Sequence, residues 1–208
     1  MGRVGWLITP VLVAGIGQVA ILKAGLLPRL AAPLDLGVQW RGKPLLGPRK
    51  TWRGVIVMTT LSALTARVQA AAARRIPGLR AICPFDYRDI NPWLLGGTLG
   101  LGYCIAEVPN SFVKRRLGIA PAQTSPRLAR LQYLIDLSDS VVGCVAALRF
   151  FYRPTRTETG LAVALGLALH VAVDQLMHAL GVKRRAYKPS QTIPSELATA
   201  GTGRLSRP

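Results

Sequence analysis

Five stretches of this sequence stay apolar over about the length a helix needs to cross a bilayer, and basic segments separate them. A helix rises 1.5 Å per residue, so roughly 18–20 apolar residues cover the ~30 Å hydrocarbon layer. The stretches run approximately over 4–27, 55–73, 92–113, 132–152 and 159–181. Backbone in hydrocarbon must satisfy its own polar groups, and for segments of this length that means helix. The expected fold is an all-α integral membrane protein of about five transmembrane helices with short basic cytoplasmic loops. Residues 1–188 form a single polytopic domain in this reading, and the Ser-, Thr-, Pro- and Gly-rich tail 189–208 has the composition of a disordered segment.

Pro10 inside the first stretch is compatible with a membrane helix, whereas Arg67 in the second must snorkel or face protein. The first stretch has only Arg3 before it and a far more basic flank after it, the reverse of a cleaved signal peptide. A net charge of +18 would point to nucleic acid in a soluble chain. Here charge and apolar residues are segregated and the mean hydropathy is +0.31, so no nucleic-acid partner is expected. The three cysteines form no C-x-x-C pair and no cluster with histidine, which indicates neither zinc nor a disulfide framework.

With five spans, 18 of the 27 Lys and Arg residues fall in the first loop, the third loop and the C-terminal tail, against 9 on the other side. The positive-inside rule then places the N-terminus outside and the C-terminus in the cytoplasm of a multi-pass cell-membrane protein.

Of the nine acids, Glu107, Asp136, Asp139 and Asp174 lie inside apolar stretches. An ionised side chain at mid-bilayer costs at least ~2.5–3.5 kcal/mol on insertion scales, so such residues face cavities or partners. Any one of them alone is best read as pairing with a nearby Arg; four together are not. Glu107, Asp136 and Asp139 are expected at one depth, roughly 5–12 Å below the cytoplasmic boundary by helical rise. Asp136, Asp139, Ser140 and Gly143 share one helix face, and Glu107, Ser111 and Lys114 share another. Three carboxylates converging from two helices would form a hard oxygen site suited to Mg²⁺.

Basic loop segments supply the complement. Arg41-Gly42-Lys43-Pro44, Lys50-Thr51-Trp52-Arg53-Gly54 and Lys114-Arg115-Arg116 combine cations, glycines and a hydroxyl. Each cluster alone is more often a topology signal or an anionic-lipid contact. Beside metal-binding acids at the same depth, they favour a phosphate ligand.

At these residues the sequence resembles the CDP-archaeol synthase family, membrane cytidylyltransferases related to the CDP-diacylglycerol synthases. The resemblance rests on Leu34-Asp35-Leu36-Gly37, Arg41-Gly42-Lys43 with Leu46-Gly47, Lys50 to Gly54, Ser111 to Ile119, and Asp136-Leu137-Ser138-Asp139-Ser140. His170 to Lys183 is similar to the family's last helix. Pro48-Arg49, Ala106-Glu107 and Pro121-Ala122 depart from the usual pattern.

The resemblance implies transfer of CMP from CTP to a lipid phosphate, an isoprenoid ether or diacyl glycerol phosphate, with release of pyrophosphate. It assigns Glu107, Asp136, Asp139 and Lys114 to catalysis, the three acids as Mg²⁺ ligands. Lys43, Lys50, Thr51, Arg53, Ser111, Arg115 and Arg116 would bind phosphates, and the lipid chains would lie between helices. Two alternatives stand beside it: a catalytically impaired lipid- or anion-binding homologue, and a small transporter.

Overall fold

The computed structural model describes residues 1–120, 123 and 128–181, so the expectations for Pro121-Ala122 and the tail 189–208 lie outside the described residues. Five long helices carry the architecture: α1 (Gly2–Lys23), α2 (Trp52–Arg75), α4 (Pro92–Arg116), α5 (Ala129–Leu148) and α6 (Arg156–Ala179). The short helix α3 (Pro77–Ile82) lies between α2 and α4. Around the bundle α1 packs on α2, α2 on α4, α4 on α5 and α5 on α6, which closes back on α1. Large apolar side chains such as Leu94, Ile105, Val142 and Phe150 face outward. That is the inverse of a soluble bundle and suits a hydrocarbon solvent.

Four of these helices, α1, α2, α5 and α6, are long and apolar enough to cross a membrane. Helix α4, of 25 residues, is long enough but too polar, because it carries glycines, Glu107, Asn110 and Ser111. It occupies the middle of the bundle, between α2 and α5. Protein rather than lipid therefore covers much of its surface, and the hydropathy a lone span requires is not demanded of it.

Small residues bring α4 close to both neighbours. A Cβ on Gly96 would lie 2.3 Å from the Ser62 carbonyl oxygen, and one on Gly100 would lie 2.6 Å from that of Met58, both on α2. On the α5 side, a Cβ on Gly143 would sit 2.2 Å from the Gly102 carbonyl oxygen. Apolar lipid gives helices little hydrophobic reason to associate, so close backbone packing at small residues holds such bundles together.

Helix α1 is tied to α2 through its proline. Pro10 has no N–H to offer the carbonyl of Trp6 one turn back. Gln69 Nε2 of α2 donates to that carbonyl at 3.0 Å, and Ser62 Oγ donates to the Pro10 carbonyl at 3.3 Å. The Trp6 indole donates in turn to the Tyr87 hydroxyl at 3.1 Å, fixing the α3–α4 connection to the start of α1.

The first loop is folded back on itself. The Asp35 carboxylate accepts from the backbone N–H groups of Gly37 (3.1 Å), Leu46 (2.8 Å) and Gly47 (2.9 Å). Burial pushes its pKa up, but these three donors outweigh that and leave it below the ordinary value. A hairpin, β1 (Gln39–Trp40) and β2 (Lys43–Pro44), turns through Arg41 and Gly42, both at positive φ. Leu34 N donates to the Lys50 carbonyl at 2.7 Å and Trp52 N to that of Ala32 at 3.0 Å, which fixes Lys50 and Thr51 at the entrance to α2. Thr51 caps that helix, its hydroxyl accepting from Gly54 N at 3.2 Å.

Candidate active site

Close contact at Gly102 and Gly143 places the start of α5 against the last turns of α4, and the acids meet their partners there. Asn110 on α4 holds both acids of α5: its Nδ2 donates to Asp136 Oδ1 at 2.6 Å and to Asp139 Oδ2 at 2.8 Å. Asp136 also forms an ion pair with Lys114, one turn beyond Asn110. Asp139 accepts from the backbone N–H of Ser140 at 2.6 Å and has no Lys or Arg within ion-pairing distance among the described residues. Glu107, one turn before Asn110, is paired with Lys50 from the first loop. Glu107 and Lys50 are both near enough to act electrostatically on Asp139.

The expected ring of three acids is therefore not assembled as such. No group of three His, Cys, Asp or Glu side chains close enough to share an ion exists among the described residues. Asp136 and Asp139 are brought together, Glu107 is drawn aside by Lys50, and the amide of Asn110 takes the third corner. Asn110 is the residue that sequence reasoning missed. It lies on the Glu107–Lys114 stripe, three residues after one and four before the other, as plainly as Ser111 does.

The basic residues divide into two groups. Lys50 and Lys114 face the acids, and Arg115 is 8% exposed, with Nε and Nη1 buried and unpartnered among the described residues. Arg49 is close enough to repel it. A buried guanidinium without a counter-charge, beside another cation, is unfavourable unless an anion joins it.

Lys43 and Arg116 are engaged in structure instead. Arg116 donates to the carbonyls of Trp40 (2.6 Å), Lys43 (3.1 Å) and Pro44, and lies over the Trp40 and Phe112 rings. Lys43 returns a bond to the Arg116 carbonyl at 3.0 Å. Together they clasp the hairpin to the end of α4. Arg53 donates to the Leu26 carbonyl at 3.1 Å, Thr51 serves as a cap, and the Ser111 hydroxyl bonds back to the Glu107 carbonyl at 3.0 Å.

An apolar groove of about 160 Å³ runs between α1, α4, α5 and α6, lined by residues such as Leu7, Val11, Leu99, Val145 and Leu169. Its polar end carries Tyr103, His170 and Asp174. His170 Nδ1 lies 3.3 Å from the Ser140 hydroxyl, so the groove ends one residue from Asp139.

Comparison with known proteins bears on this arrangement directly. The family model "CarS-like: CDP-archaeol synthase" matches residues 3–187, most of the chain. The chain belongs to the CDP-archaeol synthase family. It is 33% identical to the CDP-archaeol synthase of Halorubrum lacusprofundi over 163 residues, covering 74% of this chain and 83% of that one. To the Aeropyrum pernix CDP-archaeol synthase it is 31% identical over 186 residues, covering 87% and 95%. A solved structure described as an intramembrane enzyme for archaeal membrane lipids biosynthesis shares the fold, with a TM-score of 0.56 at 24% identity over 82% of this chain and 92% of that one. Both CDP-archaeol synthases align with the bulk of the chain, so the acid pair, the Lys50 loop and the groove all lie in a member of an enzyme family of CTP-dependent cytidylyltransferases, embedded in the membrane as a multi-pass protein.

Proposed function

We propose that this chain makes a CDP-activated lipid of the CDP-archaeol type, transferring CMP from CTP to an isoprenoid glyceryl phosphate and releasing pyrophosphate. The observation that carries this reading is the Asp136–Asp139 pair, held by Asn110 beside Lys50 and Lys114, at the end of an apolar groove. The groove would take an isoprenyl chain while the phosphate reaches the acids.

The lipid phosphate is an anion at neutral pH, so its oxygen attacks the α-phosphorus without a strong general base. The new bond joins that oxygen to the α-phosphorus, and the bond to the bridging oxygen of pyrophosphate breaks. Catalysis consists of alignment and charge neutralisation. Arg115, Lys50 and Lys114 supply positive charge to the triphosphate, and Arg115 Nε and Nη1 have no partner to surrender among the described residues. Lys50 and Lys114 exchange a carboxylate for a phosphate, which frees Glu107 and Asp136 as substrate enters.

The acid pair fits a divalent cation. Both carboxylates reach a single Asn110 nitrogen, all the donors are hard oxygens, and among the described residues Asp139 has no cation at contact distance. Mg²⁺ held by Asp136 and Asp139, with Glu107 nearby, would screen the phosphates and stabilise the departing pyrophosphate.

Purified protein with Mg²⁺ is expected to convert α-labelled CTP and a di-isoprenyl glyceryl phosphate into labelled lipid and pyrophosphate in equal amounts. A chelator should abolish the conversion. Absence of product from both isoprenoid and diacyl phosphates, with folded protein, would refute catalysis and leave a lipid- or anion-binding homologue.

The acid pair would face the cytoplasm, where CTP is found, with the N-terminus outside. A reporter fused after Pro208 is expected inside and one inserted beside Asp86 outside. Both on one side would overturn this orientation.

A further inference from the structure

At the end of the bundle away from the acid pair lies a recess of about 780 Å³, within the ~300–1,000 Å³ typical of ligand pockets. Pro92, where α4 begins at this end, is 18 residues from Asn110, or about 27 Å at 1.5 Å per residue. That is close to the full hydrocarbon thickness, so the recess sits at the opposite membrane interface. Its rim carries Arg74 from the last turn of α2, Arg80 from α3 and Arg88 from the loop before α4.

None of these guanidiniums forms an ion pair among the described residues. The acid in the recess, Asp86, is engaged with backbone, its Oδ1 accepting from Arg88 N at 2.9 Å. The floor is aromatic. Phe85 meets the Tyr87 ring edge-on at 5.2 Å between centroids, and the Trp6 indole fixes the Tyr87 hydroxyl. Burial pushes the Tyr87 phenol up to about 12, the indole bond opposing only part of that, so the floor adds no negative charge at neutral pH.

Helix-end arginines are favourable against a helix dipole, which applies to Arg74 in the last turn of α2 and Arg80 in the last turn of the short α3, but not to Arg88. All three lie at the end holding the smaller share of basic residues, where each opposes the charge bias that orients the chain. Arginine forks suit phosphate oxygens, and aromatic residues suit the headgroup layer. At the height of the membrane interface these groups meet lipid headgroups, whose phosphates the bilayer holds in place.

We propose that this recess binds the phosphate headgroup of an anionic lipid in the leaflet opposite the acid pair. It is a second lipid site, separate from catalysis, and does not depend on the reaction assigned above.

Native mass spectrometry of the delipidated full chain, titrated with phosphatidylglycerol, tests it. Three surface cations are worth about fivefold each, so Arg74→Gln/Arg80→Gln/Arg88→Gln is expected to bind one lipid per chain fewer at concentrations up to roughly a hundredfold higher. The Arg→Lys version of the same triple keeps the charge and loses the fork. It is expected to show a smaller but clear loss, and it serves if the Gln variant does not fold. CTP binding should be unchanged in both. Phosphatidylcholine should not occupy the recess, and inorganic phosphate at the same concentrations should not displace phosphatidylglycerol from it. Equal phosphatidylglycerol binding by wild type and both variants would overturn the site. Displacement by inorganic phosphate would overturn the lipid and assign a free-anion site.

Discussion

Asp139→Asn is expected to lower CTP-dependent lipid cytidylylation by a hundredfold or more while leaving the melting temperature nearly unchanged. Asparagine keeps the shape but has one acceptor oxygen, so it keeps either the bond from Asn110 or the bond from Ser140 N, a loss that removal of the buried charge offsets. What disappears is a negative charge with no ion-pair partner among the described residues, and such a charge is a cost to folding. Losing one metal-positioning carboxylate costs several kcal/mol at the transition state, and each 1.36 kcal/mol is tenfold in rate. Asp136→Asn should lose activity similarly but also lower stability, because it strands the Lys114 ammonium. Measuring turnover against Mg²⁺ concentration and thermal melting on both variants separates the two acids. A destabilised Asp139→Asn protein with normal turnover would make Asp139 a structural residue.

Gly143→Val is expected to impair folding and chemistry together. Its Cβ would fall 2.2 Å from the Gly102 carbonyl oxygen and 2.4 Å from Ala106 Cβ, and neither has anywhere to go without moving a helix. Overpacking of this kind costs ~1–3 kcal/mol or more. At ~2–4 °C per kcal/mol for a chain of this size, melting should fall by several degrees. Parting α4 from α5 also moves Asp136 and Asp139 away from Asn110 and Lys114, and a displacement of ~1 Å can cost about a hundredfold in rate. Gly5→Ala is the matching control, since nothing lies within 4 Å of the added carbon. Unchanged melting and turnover in Gly143→Val would mean that this contact does not set the site.

Much of this architecture was legible in the sequence because apolar length and charge are properties of the chain itself. The all-helical membrane fold follows from hydrocarbon thickness, and the shared face of Asp136, Asp139 and Gly143 follows from helical period. Other features depended on which helix meets which. Glu107 is on the expected stripe, yet Lys50, 57 residues away, draws it from the other acids. Asn110 carries no charge and belongs to no motif, and its role emerges only where α5 puts two carboxylates on its amide. Lys43 and Arg116 read as phosphate ligands from their motifs, whereas the hairpin's carbonyls occupy Arg116 and the Arg116 carbonyl occupies Lys43. Charge and period report what a side chain offers, and only packing decides who receives it.

The polarity of α4 bears on how the protein is made. A nascent helix partitions into lipid by its own hydropathy, and α4 falls short of the measure that α1, α2, α5 and α6 meet. Its glycine seams need α2 on one side and α5 on the other before its polar stripe is sheltered. Helix α2 emerges from the ribosome first and can shelter one seam; α5 follows only after α4 has been synthesised. Membrane integration of this chain is thus a cooperative event, in which the helix carrying Asn110 and Lys114 becomes stably embedded only as the acids of α5 arrive to meet it.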